Sequence, residues 1–251
     1  MATVSQRFVV FATPRSGSNW LCTLLDSHPD ILCHHELFNP EGIHIAWSLR
    51  GSGFDLGGLK LQREAPLELL RRTWLQSRGY DCVGFKVNLG QSELVFSTVL
   101  DDPTIRKILV SRRNRIRAYV SESIAEISGQ WESFPDSTPP SPVQPVRIEL
   151  ESLKAHIRRN QTYLEDIRQR LSRTGQDLME THYETIGDAA CHRELLNYLG
   201  VDQSVELVGR TSRMNPQPLA SLIENYQELT ERLAETDLAN DFVDEEVRDG
   251  P

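Results

Sequence analysis

Residues 8–20 read Phe8-Val9-Val10-Phe11-Ala12-Thr13-Pro14-Arg15-Ser16-Gly17-Ser18-Asn19-Trp20, and Leu21, Leu24 and Leu25 follow at helical spacing. An apolar run that breaks at Pro and Gly and resumes with helical periodicity predicts a buried strand, a tight turn and a helix start. The first N–H groups of a helix have no intrahelical partners, and the helix dipole puts partial positive charge there. Such a turn cradles an anion: Ser16, Gly17, Ser18 and Asn19 would line it and Arg15 would add a full charge. The phosphate loop of nucleoside triphosphatases needs Gly-x-x-x-x-Gly-Lys-Ser/Thr, which no stretch of this chain supplies.

Outward from this turn, strand candidates at 31–35, 82–87, 106–111 and 178–182 alternate with helical patterns. That alternation predicts an α/β fold, a three-layer sandwich whose central sheet is mainly parallel. The chain has 251 residues, 39% of them hydrophobic, enough for one good core and a single domain over 1–251. In such sheets ligands bind beyond the carboxyl ends of the strands. Arg15, Glu36, Lys86 and Arg113 all fall at or just after a predicted strand end.

The formal net charge is -9, yet Arg112, Arg113, Arg115 and Arg117 cluster at one predicted helix start. Cations there oppose the helix dipole, so the cluster implies a small anionic ligand. Nucleic acid would call for a basic face over the whole domain and is not expected. Cys22, Cys33, Cys82 and Cys191 are scattered without metal-ligand spacing, and His34 and His35, adjacent on a strand, point to opposite faces; no metal is expected. Met1 to Arg7 is polar and no apolar run reaches membrane-spanning length, which gives the expectation of a cytoplasmic chain with no transmembrane segment.

The segment Thr13-Pro14-Arg15-Ser16-Gly17-Ser18-Asn19-Trp20 resembles the 5′-phosphosulfate loop of sulfotransferases, which use 3′-phosphoadenosine-5′-phosphosulfate (PAPS). After the apolar Ile108-Leu109-Val110, the stretch Arg113-Asn114 through Val120-Ser121 is similar to that family's 3′-phosphate motif. Ser128-Gly129-Gln130-Trp131 is similar to Thr-Gly-Gln-Trp of bacterial trehalose sulfotransferases, and the position of Glu36 resembles that in nodulation-factor types. The resemblance covers residues 8–131 well and the rest loosely. It implies a P-loop-NTPase-like fold and sulfuryl transfer from PAPS to an acceptor hydroxyl, of a small molecule or glycan and preferentially of a carbohydrate or glycolipid. It further implies that Arg15 to Trp20 hold the donor's 5′ end, that Arg113 and Ser121 hold its 3′-phosphate, that Tyr183 lies near the adenine, and that a basic loop around Arg210 and Arg213 closes over it. The Arg-Lys-Gly signature of eukaryotic members is absent there.

Sulfuryl transfer needs a cation at the leaving oxygen and a base for the acceptor hydroxyl. Arg15 and Lys86 are the nearest cations, and Glu36 is the expected base, with His35 as competitor. Trp20 either stacks on the adenine or packs its helix, and Trp131 either lines the acceptor pocket or packs. A nucleotide kinase-like phosphotransferase and a non-catalytic nucleotide-binding module stand as alternatives.

The remaining segments carry further expectations. Pro66 to Ser77 reads as a helix with Leu67, Leu70 and Leu75 inward. Five prolines within 132–147 predict a loop placed as a lid over the acceptor site. Leu150, Leu153, Ile157, Leu164, Ile167 and Leu171 make one long helical stripe, expected on its own sheet in preference to a second subunit, with a homo-oligomer left open. One helix is expected through Leu219, Leu222, Ile223, Tyr226 and Leu229, and a frayed acidic tail over 237–251.

Overall fold

The computed structural model describes residues 4–133 and 143–243. Five strands form one parallel sheet: β1 (Gln6–Ala12), β2 (Ile31–Glu36), β3 (Cys82–Asn88), β4 (Ile105–Ser111) and β5 (Leu178–His182), in the order β2-β3-β1-β4-β5. The expected strands are all present. Their apolar runs are continuous because both faces of the sheet are covered. Side chains alternate between the two cores. Phe8, Val10, Ala12, Ile108 and Val110 pack against α1 (Ser18–Leu25) and α7 (Ala189–Leu199). On the other face Val9, Phe11, Phe85 and Leu109 meet α3 (Pro66–Leu75), α4 (Glu93–Asp101) and the second half of α6 (Leu150–Thr174). A short α2 (Gly58–Glu64) precedes α3.

Several expectations need correction. In α3 the buried residues are Leu69, Leu70 and Thr73, whereas Leu67 and Leu75 are 43% and 54% exposed. At about 100° per residue Leu75 lies about 140° from Leu70 and faces outward. Of the α6 stripe, only Leu164, Ile167 and Leu171 pack on the sheet side. Leu150, Leu153 and Ile157 pack instead with Ile116, Val120 and Ile124 of α5 (Arg115–Ser128) and with the C-terminal helices, a third core. The expected C-terminal helix is two, α8 (Leu219–Leu222) and α9 (Tyr226–Leu233). It breaks because Ile223 pairs with Val146 in a parallel bridge, and the Asn225 side chain both accepts from the N–H of Ile148 (2.9 Å) and donates to its carbonyl (3.0 Å).

The first part of the acidic tail is not frayed. Asp237 and Asp241 pair with Arg115 at 2.6 and 2.8 Å, and Asp241 also accepts the Arg115 backbone N–H at the start of α5. Residues 244–251 lie outside the described residues, as does most of the expected Pro-rich lid, 134–142.

Asp26, at the end of α1, ties three segments together. Its carboxylate accepts the N–H of Cys33 on β2 (3.3 Å) and both the N–H (2.8 Å) and Oγ–H (3.0 Å) of Ser48. Replacing Asp26 by Ala strands two backbone N–H groups in the interior, so a loss of about 2–4 kcal/mol is expected. A urea midpoint lowered at unchanged slope would show it; an unchanged midpoint would contradict it.

Candidate active site

A cavity of about 650 Å³ opens at the carboxyl edge of the sheet, over the ends of β1, β2 and β3 and the start of α5. Arg15, Lys86, Arg112, Arg117 and Arg213 line it against three carboxylates, Glu36, Glu41 and Glu132. In a chain of net charge -9 the cavity inverts the sign of the whole molecule.

The turn after β1 has the expected geometry. Gly17 caps α1 in the left-handed region (φ 82°), and a Cβ there would meet the Tyr183 ring at 2.5 Å, so the position requires glycine on two counts. Arg15 is also left-handed (φ 58°), which turns its guanidinium across the cavity mouth. There its Nε donates to Ser121 Oγ (2.9 Å) and its Nη1 to the Trp131 carbonyl (2.6 Å). Burial, then the Arg112 charge, lowers its pKa to about 10, so it stays charged at neutral pH. Ser18 and Asn19 line the cavity, but Ser16 does not: its Oγ–H closes the turn onto the Thr13 carbonyl at 2.7 Å.

The arginine cluster divides in a way that corrects the sequence reading. Arg113 is exposed and lies outside the cavity, with its backbone N–H held by Glu184 Oε1 (2.9 Å). The preceding residue, Arg112, faces the cavity and lies 4.1 Å over the Tyr183 ring. The arginine that meets Ser121 is Arg15, from the opposite loop. Arg115 is neutralised by Asp237 and Asp241, and Arg117 donates to the carbonyls of Asn215 and Gln217 (both 2.7 Å). The Arg115 charge is therefore balanced within the chain, and the Arg117 guanidinium is held by neutral carbonyls. Arg117 thereby fixes the 211–217 loop, whose Arg213 lines the cavity while Arg210 points elsewhere and is exposed.

Glu36 and Lys86 meet at the floor. In the parallel pairing of β2 with β3, His34 stands opposite Phe85 and Glu36 opposite Lys86, so His35 is an extra residue, a bulge. The bulge brings Glu36 Oε1 to 2.7 Å from Lys86 Nζ, which is 1% exposed and also donates to Asn19 Oδ1. Burial alone would raise the Glu36 carboxyl, but the Lys86 charge and hydrogen bonds from Lys86, Asn39 and Gln91 outweigh it and hold it at about 2. Burial, Lys86 and Arg50 push His35 well below the usual imidazole range, which leaves it neutral. His34 faces away, stacked on Phe54 and accepting the Ala46 N–H.

Tyr183 and Trp20 pack edge to face beside the turn, both largely buried at the cavity wall, whereas Trp131 is 45% exposed at its rim. Sequence reasoning missed Asn39, Gln91, Arg112 and Glu132 as cavity residues. Asn39 and Gln91 follow β2 and β3, and that placement at strand ends is the signal that could have found them. Among the described residues no group of three His, Cys, Asp or Glu could hold a metal, and no helix is long and apolar enough to cross a membrane.

No family model matches the sequence. Nodulation protein H of Rhizobium meliloti strain 1021 is 26% identical over 248 residues, 94% of this chain and 95% of the relative. That of Rhizobium tropici is 25% identical over 236 residues, covering 90% and 89%. In fold, the chain resembles the crystal structure of a sulfotransferase from Alicyclobacillus acidocaldarius, with a TM-score of 0.50, 16% identity and coverage of 94% and 92%. Over nearly its whole length, then, this chain is similar to nodulation protein H, and its fold is similar to that of a sulfotransferase.

Proposed function

We propose that the chain moves the sulfuryl group of PAPS to a hydroxyl of a carbohydrate or glycolipid acceptor, without a metal. The observation that carries this reading is the Glu36–Lys86 pair, 2.7 Å apart on the floor of the cavity that the 15–19 turn also lines. A carboxylate and an ammonium beside an anion-binding turn supply the two charges that in-line transfer needs. The volume lies within the range of about 300–1,000 Å³ usual for ligand sites. Its five cations suit a donor with negative charge at two ends.

When bound, the donor supplies a sulfuryl group on a phosphate leaving group. Ser18, Asn19, the turn's backbone N–H groups and Arg15 would bind the 5′ end. Arg112, Ser121 and Arg213 would bind the 3′-phosphate, with Arg112 in the place first expected for Arg113. Tyr183, and Trp20 behind it, would border the adenine. Lys86 would turn from Glu36 to the leaving oxygen. Glu36, relieved of its counter-charge, would then regain basicity and take the acceptor's proton. Trp131, Glu41 and His44 at the rim would face the acceptor.

Calorimetric titration with adenosine 3′,5′-bisphosphate, in the absence of magnesium, tests the donor. Micromolar binding is expected, with AMP, ADP and ATP far weaker, and Arg112→Ala should weaken it at least about tenfold while Arg113→Ala changes little. Preference for ATP would favour a kinase-like phosphotransferase and overturn the reading. Labelled sulfate transferred from PAPS to octyl glucoside would establish the acceptor class; transfer to phenols alone would replace it.

A further inference from the structure

Glu36 Oε1 faces Lys86, whereas Oε2 receives two neutral donors: Asn39 Nδ2 at 2.8 Å and Gln91 Nε2 at 2.6 Å. Each amide has its own oxygen anchored on a backbone N–H. Asn39 Oδ1 accepts from Glu41 N–H (2.9 Å), and Gln91 Oε1 accepts from Asn88 N–H (3.1 Å). The anchoring decides which end of each amide meets the carboxylate, since a flipped amide would set oxygen against oxygen and N–H against N–H. The two supports are themselves fixed. Gln62 donates to the carbonyls of Leu37 and Asn39 (3.0 and 2.7 Å), while a tight turn through Gly90 (φ 86°) closes from Gln91 N–H to the Asn88 carbonyl (3.1 Å).

We propose that Asn39 and Gln91 are positioning residues, a two-amide clamp that keeps the Glu36 carboxylate ionised and in place while Lys86 turns to the donor's leaving oxygen. The inference rests on Glu36 being the base. One ammonium cannot neutralise both the base and the leaving group, and burial would drive an unsupported carboxyl towards protonation. Amides solve this because they stabilise the anion without competing for the donor as cations. They also tie down one carboxylate oxygen and leave the other, released by Lys86, free to accept the proton.

Glu36 can be titrated directly by carbon NMR of protein labelled at the glutamate carboxyls, its signal assigned by its loss in Glu36→Gln. The other charged and titratable groups near it are Lys86 on β3, His35 on β2, His44 and Arg50 after β2, and Glu41 and Glu132 at the rim, and the variants leave all of them unchanged. Gln91→Met and Asn39→Leu should each raise the Glu36 midpoint by about one pH unit, with and without adenosine 3′,5′-bisphosphate. Gln91→Glu, equal in shape but charged, should raise it further. Turnover with PAPS and octyl glucoside should fall about tenfold at unchanged donor KM.

A midpoint unmoved in Gln91→Met and Gln91→Glu, with Glu36→Gln inactive, overturns the clamp alone. Full turnover in Glu36→Gln overturns the base assignment and the clamp with it. Should Gln91→Met not fold, the isosteric Gln91→Glu carries the same test.

Discussion

Turnover in Glu36→Gln is expected to fall by about 10²–10⁴-fold, the cost of a lost general base, with bisphosphate affinity nearly unchanged. Gln keeps the shape of the side chain and can still accept from Asn39 or Gln91, so the cavity is preserved while the proton acceptor is removed. The separation of the two readouts follows from placement: Glu36 sits at the end of β2, and the anion turn follows β1. Steady-state rates with labelled donor, set beside calorimetry, check it. Near wild-type turnover would take Glu36 out of the mechanism. His35, neutral and one position earlier, would then be the competing base.

Lys86→Met is expected to be damaging twice over. It removes the cation proposed for the leaving oxygen, worth about 10²–10³-fold in turnover. It also leaves the Glu36 charge buried without its partner, which costs about 3–5 kcal/mol in comparable cases. The pH dependence has a definite sign. In the wild type the Glu36 carboxyl is held at about 2, below its ordinary 4.5, so the pair stabilises the fold above pH 4.5 and loses that contribution as pH falls towards 2, about 3 kcal/mol in all. Without Lys86 the carboxyl rises from about 2, because only the Asn39 and Gln91 amides are left to oppose burial and keep it ionised at neutral pH. The variant's deficit relative to wild type should therefore be largest at neutral pH and shrink on acidification. Denaturant titrations from pH 2 to 8 would show this, and a deficit independent of pH would contradict the pairing. Adding Glu36→Gln to Lys86→Met should restore part of the lost stability.

Much of this was legible in the sequence for a physical reason. Strands buried on both faces are written as unbroken apolar runs, and the edge at which Arg15, Glu36 and Lys86 emerge follows from where those runs end. What could not be read depends on contacts between distant segments. The family resemblance put Arg113 at the 3′-phosphate, but Glu184, 71 residues away, takes the Arg113 N–H, and the Arg113 side chain lies outside the cavity. The arginine cluster implied an anion, yet Asp237 and Asp241 arrive from the C-terminal tail to neutralise Arg115. The apolar pattern of α6 was correct, but one stripe serves two cores, and nothing in its period marks where the partner changes.

The extra residue in β2 has a consequence for how such a site can change over generations. Strand β2 carries an imidazole and a carboxylate at consecutive positions, His35 and Glu36, and one register step determines which stands opposite Lys86. Losing the Glu36 codon would straighten the strand and bring the imidazole of His35 opposite the lysine in place of the carboxylate. Two proton-acceptor chemistries are thus neighbours in sequence space, separated by the length of one strand and not by the invention of a residue.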